Sequence, residues 1–124
     1  MLLYKELSQE VVGAALEVHR HLGPGLLESA YDHALCHELG LRRLHYRRQV
    51  EVPVHYKGVV LGSWLRMDLL VEERIVVEVK AVEQSLPIHG AQLLTYLRLS
   101  GYRVGLLINF NSLHLKSGIV RRVI

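Results

Sequence analysis

Trp64-Leu65-Arg66-Met67-Asp68-Leu69-Leu70-Val71-Glu72-Glu73-Arg74-Ile75-Val76-Val77-Glu78-Val79-Lys80-Ala81-Val82 reads as two β-arms joined by a turn. Leu65, Met67, Leu69 and Val71 hold the odd positions of the first arm, and Ile75, Val77, Val79 and Ala81 those of the second. Strand side chains alternate faces, so each arm is expected to carry one apolar face. If both faces serve one core, the register sets Val71 opposite Ile75 across the turn, because a one-residue slip would turn one set into solvent. The same register places Asp68 across from Glu78 and Arg66 across from Lys80, close enough for direct interaction.

Four ionisable groups therefore converge on the even face, beside Leu70 and Val76. A solvated face would account for scattered charges, but the two apolar neighbours indicate a face that is at least partly covered. Two carboxylates about 4 Å apart repel by about 4 kcal/mol at an effective dielectric near 20. Lys80 offsets part of this, and a divalent cation would offset more. Hard ions such as Mg²⁺ take carboxylate oxygens and keep several waters. Converging carboxylates beside a lysine point to a functional site over a structural ion-pair cluster.

Asp68, nine intervening residues, then Glu78-Val79-Lys80 resembles the active-site signature of the PD-(D/E)XK nuclease superfamily. Gly25-Leu26-Leu27-Glu28-Ser29-Ala30-Tyr31 resembles the motif that names the GxxExxY protein family, a branch of that superfamily. With Gln92-Leu93-Leu94-Thr95-Tyr96 further on, the resemblance runs from about Leu7 to Ile124. It implies an α/β, restriction-endonuclease-like αβββαβ core, a mixed central sheet flanked by helices, in a single domain over 1–124. It also implies a metal set of Glu28, Asp68, Glu78 and the Val79 carbonyl, and catalytic roles for Asp68, Glu78, Lys80 and Gln92. Tyr31 and Tyr96 are supporting residues.

Composition bounds the reading. At 124 residues the chain is long enough for a core that needs no staples. Its one cysteine, Cys36, excludes an internal disulfide, fits a reducing cytoplasm, and reads as a small core residue on a helix. The N-terminus lacks the pattern of a secretory signal, and no apolar run approaches a membrane span. A cytoplasmic protein is expected. The net charge of +3 and pI of about 9.2 are compatible with nucleic-acid binding.

The remaining elements follow from periodicity. Ser8 reads as the N-cap of a helix over about 8–21 with Val11, Ala15, Val18 and Leu22 inward. Gly23-Pro24-Gly25 separates it from a helix over about 26–39, closed by Gly40, with Leu27, Ala30, Ala34 and Leu35 inward. Glu28 and Tyr31 share a face there. Glu28 taken alone reads as a first-turn carboxylate complementing the helix dipole. His33 and His37 stand at a metal-binding spacing without a third ligand nearby. Arg42, Arg43, Arg47 and Arg48, with Tyr46 among them, read either as a phosphate-contacting surface or as solvated edge charges.

Val50 to Tyr56 alternates up to a two-residue turn at Lys57-Gly58. Pro53 demands an edge or a non-bonded position, and Gly62-Ser63 suggests a bulge. Pro87 starts a helix to about Ser100, with Leu94 and Leu97 buried and His89, Gln92 and Tyr96 on a separate line. Tyr102–Phe110 reads as a strand covered on both faces, crossing over beside the Ile75–Val82 arm. A last strand covers about Ile119–Ile124. These readings together imply a Mg²⁺- or Mn²⁺-dependent nuclease on DNA or RNA. A catalytically silent binding module for nucleic acid or protein stands as the alternative. By resemblance the chain is expected to form a homodimer.

Overall fold

The computed structural model describes residues 3–124. Two helices, α1 (Lys5–Leu22) and α2 (Glu28–Leu41), precede three antiparallel strands, β1 (Tyr46–Tyr56), β2 (Val59–Val71) and β3 (Ile75–Lys80). Helix α3 (Pro87–Ser100) leads to β4 (Val104–Asn109), a short 3-10 turn at Leu115–Gly118, and β5 (Ile119–Val123). The sheet order is β1-β2-β3-β4-β5. β4 lies parallel to β3 and antiparallel to β5. This is the αβββαβ order expected from the sequence, a mixed five-stranded sheet flanked by helices.

The sheet is covered on both faces. Val11, Ala14, Ala15, Val18, Tyr31, Leu35 and Leu39 of α1 and α2 pack on Leu69, Val71, Ile75, Val77, Val79 and alternate residues of β4. On the other face Leu93 and Leu97 of α3 pack on Val52, Leu65, Met67, Leu70, Val76 and Leu107. All six β4 residues are buried, as the unbroken apolar run requires. α3 lies so close to β4 that a Cβ on Gly105 would stand 2.7 Å from Leu93 Cδ1.

Several local expectations are corrected. Ser8 is not an N-cap: α1 begins at Lys5, with Tyr4 in the left-handed region as its cap. Ser8 is instead buried inside the helix, and its hydroxyl finds no hydrogen-bond partner among the described residues. Leu22 is exposed at the helix end, and Leu27, at the N-cap of α2, is 80% exposed. Gly40 does not close α2, which continues to Leu41 and turns at Arg43 with φ 60. The buried stripe of α3 is Leu93 and Leu97: Leu97 is as expected, and Leu93, packed over Gly105 of β4, takes the place of Leu94. Since an orphaned buried hydroxyl costs about 1–3 kcal/mol and alanine favours helix, Ser8→Ala should raise thermal stability by about 1 kcal/mol. A calorimetric melt checks it.

The β1–β2 hairpin is longer than expected, since Val59 to Val71 form one continuous strand. Tyr56 pairs Val59 across Lys57-Gly58, as the turn requires. Val54 then pairs Gly62, one residue beyond the partner that an unbroken ladder from Tyr56–Val59 would give it, and the register shifts on both sides of Val54. Gly62, at φ 110, accommodates the irregularity, as anticipated, and Pro53 sits at the shift where no ladder bond is asked of it.

The central correction concerns β2 itself. Its odd residues do not share one face: Leu65 and Met67 face α3, whereas Leu69 and Val71 face α1 and α2. The roll-over is centred on Asp68. β1 pairs β2 through Arg48–Leu69 and again through Val50–Met67, but Gln49 and Asp68 drop out of the ladder, and Gln49 has φ 53. Period-two alternation cannot reveal such a break, because the strand stays apolar on either side of it.

Candidate active site

The site is built where two ladders fail at the same residue. β2 and β3 pair through Val71–Ile75, Leu70–Val76 and Leu69–Val77, and the ladder goes no further. Arg66 therefore does not pair Lys80; its cross-strand neighbour is Glu51 on β1. Beyond Leu69 the carboxylates replace the missing backbone bonds. The Asp68 N–H donates to Glu78 Oε2 at 2.8 Å, and the Val79 N–H donates to Asp68 Oδ2 at 2.8 Å. The two acids thus meet beyond the end of the ladder, crossed in the gap between parting strands rather than paired directly across it.

Their electrostatics follow from burial. Glu78 is 5% exposed. Desolvation, reinforced by the Asp68 charge, pushes its carboxyl up to about 8. Burial also raises Asp68, opposed by the Val79 N–H and by the charges of Lys80 and Arg66. Glu28, on the first turn of α2, is raised by burial and by the Asp68 charge. Lys80 lowers all three carboxyls, so its ammonium serves the whole cluster. It is half-buried and forms no salt bridge among the described residues.

Tyr96 faces the cluster from α3. Burial and the charges of Glu78 and Asp68 hold its hydroxyl above the ordinary tyrosine range. Gln92 lies one helical turn before it, exposed, and makes no hydrogen bond to the carboxylates among the described residues. Tyr31 acts at a distance from the acids. Its ring stacks on Phe110 with centroids 4.7 Å apart. Its hydroxyl donates to the Gly23 carbonyl at 2.6 Å and accepts the Leu26 N–H at 3.1 Å. It thereby pins the Gly23–Leu26 bend, and with it the start of α2 where Glu28 sits. Tyr31→Phe removes both bonds from a buried site and should cost roughly 1–3 kcal/mol. Any cleavage activity should fall with it while secondary structure persists; circular dichroism melts beside activity would show this.

Asp32 was not anticipated from the sequence. It is buried, lies one turn after Glu28, and its charge acts on Glu28, Asp68 and Cys36. Arg48 donates to it at 3.2 Å. The sequence signal for it is the i, i+4 spacing of Glu28 and Asp32, which puts the two carboxylates on one helix face. Asn109 was also missed. Its buried amide bonds the Val82 N–H and carbonyl, both at 3.0 Å, and holds the chain leaving β3. Cys36 is a core thiol, pushed up to about 12 by burial and by Asp32, which suits no nucleophile.

The basic stretch is largely engaged within the chain. Arg42 pairs Glu38 at 2.9 Å and Glu10 at 3.4 Å, and Arg47 grips Glu73 through two bonds of 2.7 and 2.9 Å. With Arg48 on Asp32, only Arg43 of the four has no carboxylate partner among the described residues. His33 is turned to its own helix, its Nδ1 on the Ser29 carbonyl.

The chain was compared with known proteins. A model of the PD-(D/E)XK nuclease superfamily matches residues 5–123. The chain belongs to that superfamily. No curated protein and no solved structure matches it. PD-(D/E)XK nucleases generally use divalent metal ions. Among the described residues no three His, Cys, Asp or Glu side chains are gathered closely enough to hold an ion by themselves. The donor set nevertheless fits a hard cation that keeps much of its water. Asp68 and Glu78 each spend one oxygen on a backbone N–H, leaving Oδ1 and Oε1 for a ligand. The N–H and C=O of a strand residue point to the same edge, so the Val79 carbonyl faces the same gap as its N–H. No described helix is long and apolar enough to cross a membrane.

Proposed function

We propose that the chain is a Mg²⁺- or Mn²⁺-dependent nuclease that hydrolyses phosphodiester bonds in DNA or RNA. The observation that carries this is the crossed pair of a buried Glu78 and a half-buried Asp68, mutually repelling, each with one oxygen unspent, and attended by Lys80. A scaffold gains nothing from two such carboxylates; a cation site does. Asp68, Glu78 and the Val79 carbonyl would hold the ion, with Glu28 contributing directly or through water. When bound, the ion supplies charge neutralisation at the phosphoryl oxygen and lowers the pKa of a bound water.

The chain's own groups do the rest. The Lys80 ammonium, positive and poised beside all three acids, orients the attacking water or stabilises negative charge growing on the phosphate. Gln92 and Tyr96 line the α3 side, where the amide orients Lys80 or the water. Tyr31 fixes the helix start that carries Glu28. Of the basic stretch, Arg43 is free to meet phosphate, whereas Arg42, Arg47 and Arg48 would have to exchange carboxylates for it. Within the superfamily we place the chain in the GxxExxY branch, on Gly25, Glu28 and Tyr31. We further propose a single nuclease-like domain, working as a cytoplasmic homodimer.

The test is cleavage of labelled single strands, duplexes and branched junctions by purified protein with Mg²⁺ or Mn²⁺, beside Asp68→Ala. Cleavage by the parent alone supports the reading. No cleavage of any substrate, with nucleic acid still bound, would replace it by a silent binding module.

A further inference from the structure

We propose that Trp64 is a stacking platform for an unpaired base of a nucleic-acid strand led to Asp68 and Glu78; its substrate class rests on the nuclease reading above. Trp64 is the only tryptophan of the chain and is 78% exposed, while its neighbours Leu65 and Met67 are buried. An indole left in water gives up the burial that makes tryptophan valuable in a strand. Nor is it loose, because its Nε1–H donates to the Leu61 carbonyl at 2.7 Å. The polar edge is satisfied inside the protein, and what remains to offer is the flat π-face.

The backbone aims it. Val52 pairs Leu65 and Val54 pairs Gly62, so Ser63 and Trp64 together oppose Pro53. Two residues against one is a bulge, which redirects a side chain. Leu65 and Met67 face α3, so alternation puts Trp64 and Arg66 on the opposite side, the side from which α2 presents Glu28. Arg66 is exposed and its charge acts on Asp68. It forms a cationic step between the indole and the acids. His55 and Lys57 on the neighbouring arm are also exposed, with Lys57 Nζ 5.4 Å from the Tyr56 ring centroid. Glu51, across from Arg66, is the acid on this side of the two arms.

An aromatic face for bases with cations for phosphates is how single strands are held. A duplex keeps its base faces stacked inside and has none to give the indole. Asp68 lies four residue steps along the strand from Trp64, roughly 13 Å. That corresponds to about four nucleotides at duplex spacing and fewer in an extended strand. The competing occupant is a second copy of this chain, since Tyr56, Val59, Val60 and Leu61 are also exposed at the hairpin tip.

Because Trp64 is the sole tryptophan, its emission reports on this residue alone. Oligonucleotides of DNA and of RNA, single-stranded and duplex, would be titrated in EDTA, where no cleavage intervenes. Single strands of either kind should quench Trp64, and duplexes much less. Removing one base within about four nucleotides of the mapped cut should relieve the quench. By anisotropy of labelled oligonucleotide, Trp64→Ala should weaken single-strand binding roughly tenfold, with Trp64→Phe in between. The inference is overturned if cleavage proceeds while emission ignores every oligonucleotide and Trp64→Ala binds normally. It is equally overturned if Trp64→Ala only turns a dimer into a monomer. Quenching without cleavage would keep the platform and sink the nuclease reading instead.

Discussion

Glu78→Gln is expected to abolish cleavage and, in metal-free buffer at pH 8, to make the protein more stable. The carboxyl is pushed up to about 8 from an ordinary 4.5, chiefly by burial and then by Asp68. Between those two pH values the native state holds a proton that the unfolded chain has released. Stability from this group is therefore complete below about 4.5 and is lost as pH climbs to about 8. Glutamine keeps an oxygen for the Asp68 N–H and carries no charge, so it should recover about 2 kcal/mol at pH 8, or roughly 6–10 °C in melting temperature. At pH 4.5 the variant and its parent should melt almost together.

Added Mn²⁺ should raise the melting temperature of the parent and not of the variant, because only an ionised Glu78 repays a cation. Metal and proton compete for that carboxylate. Apparent metal affinity should therefore strengthen with pH up to about 8 and then level off. Melts that fall equally for parent and variant between pH 4.5 and 8 would refute the assignment.

Lys80→Ala is expected to lower the cleavage rate by roughly 10²–10³, the usual effect of deleting one preorganised charge at a reacting centre. The ammonium lowers Glu28, Asp68 and Glu78 alike, so its removal leaves these carboxyls holding protons more tightly. The variant should need a higher pH to bind Mn²⁺, yet still bind it once the acids ionise. Calorimetry at pH 7 and 9 beside single-turnover cleavage separates the two effects. Lost cleavage with metal binding retained at pH 9 places Lys80 in the chemistry. Full activity would remove it from the mechanism.

Much of the architecture was legible because it is written in short-range pattern. The turn at Glu72–Arg74, the Lys57-Gly58 hairpin, the α3 boundaries at Pro87 and Gly101, and the doubly covered β4 all follow from local chemistry. What pattern misread was orientation. Leu93 rather than Leu94 is buried on α3, and Leu65 and Met67 face away from the side that holds Leu69. In both cases the residues are apolar as expected, and the side they face is decided by what packs there.

That Asp68, Glu78 and Lys80 lie at one end of a hairpin was legible without coordinates, because a turn and alternation over a few residues set which strand residues are neighbours. How they meet depends on packing. The ladder stops at Leu69–Val77, Gln49 and Asp68 leave the β1 pairing, and each carboxylate takes a backbone N–H of the opposite strand. Packing alone also brought Asp32 to the acids, whereas Tyr96, expected there by resemblance, faces them from α3. The reason is physical: burial and cross-sheet charge belong to surfaces assembled from α2, β2, β3 and α3, segments far apart along the chain, and no local period encodes them.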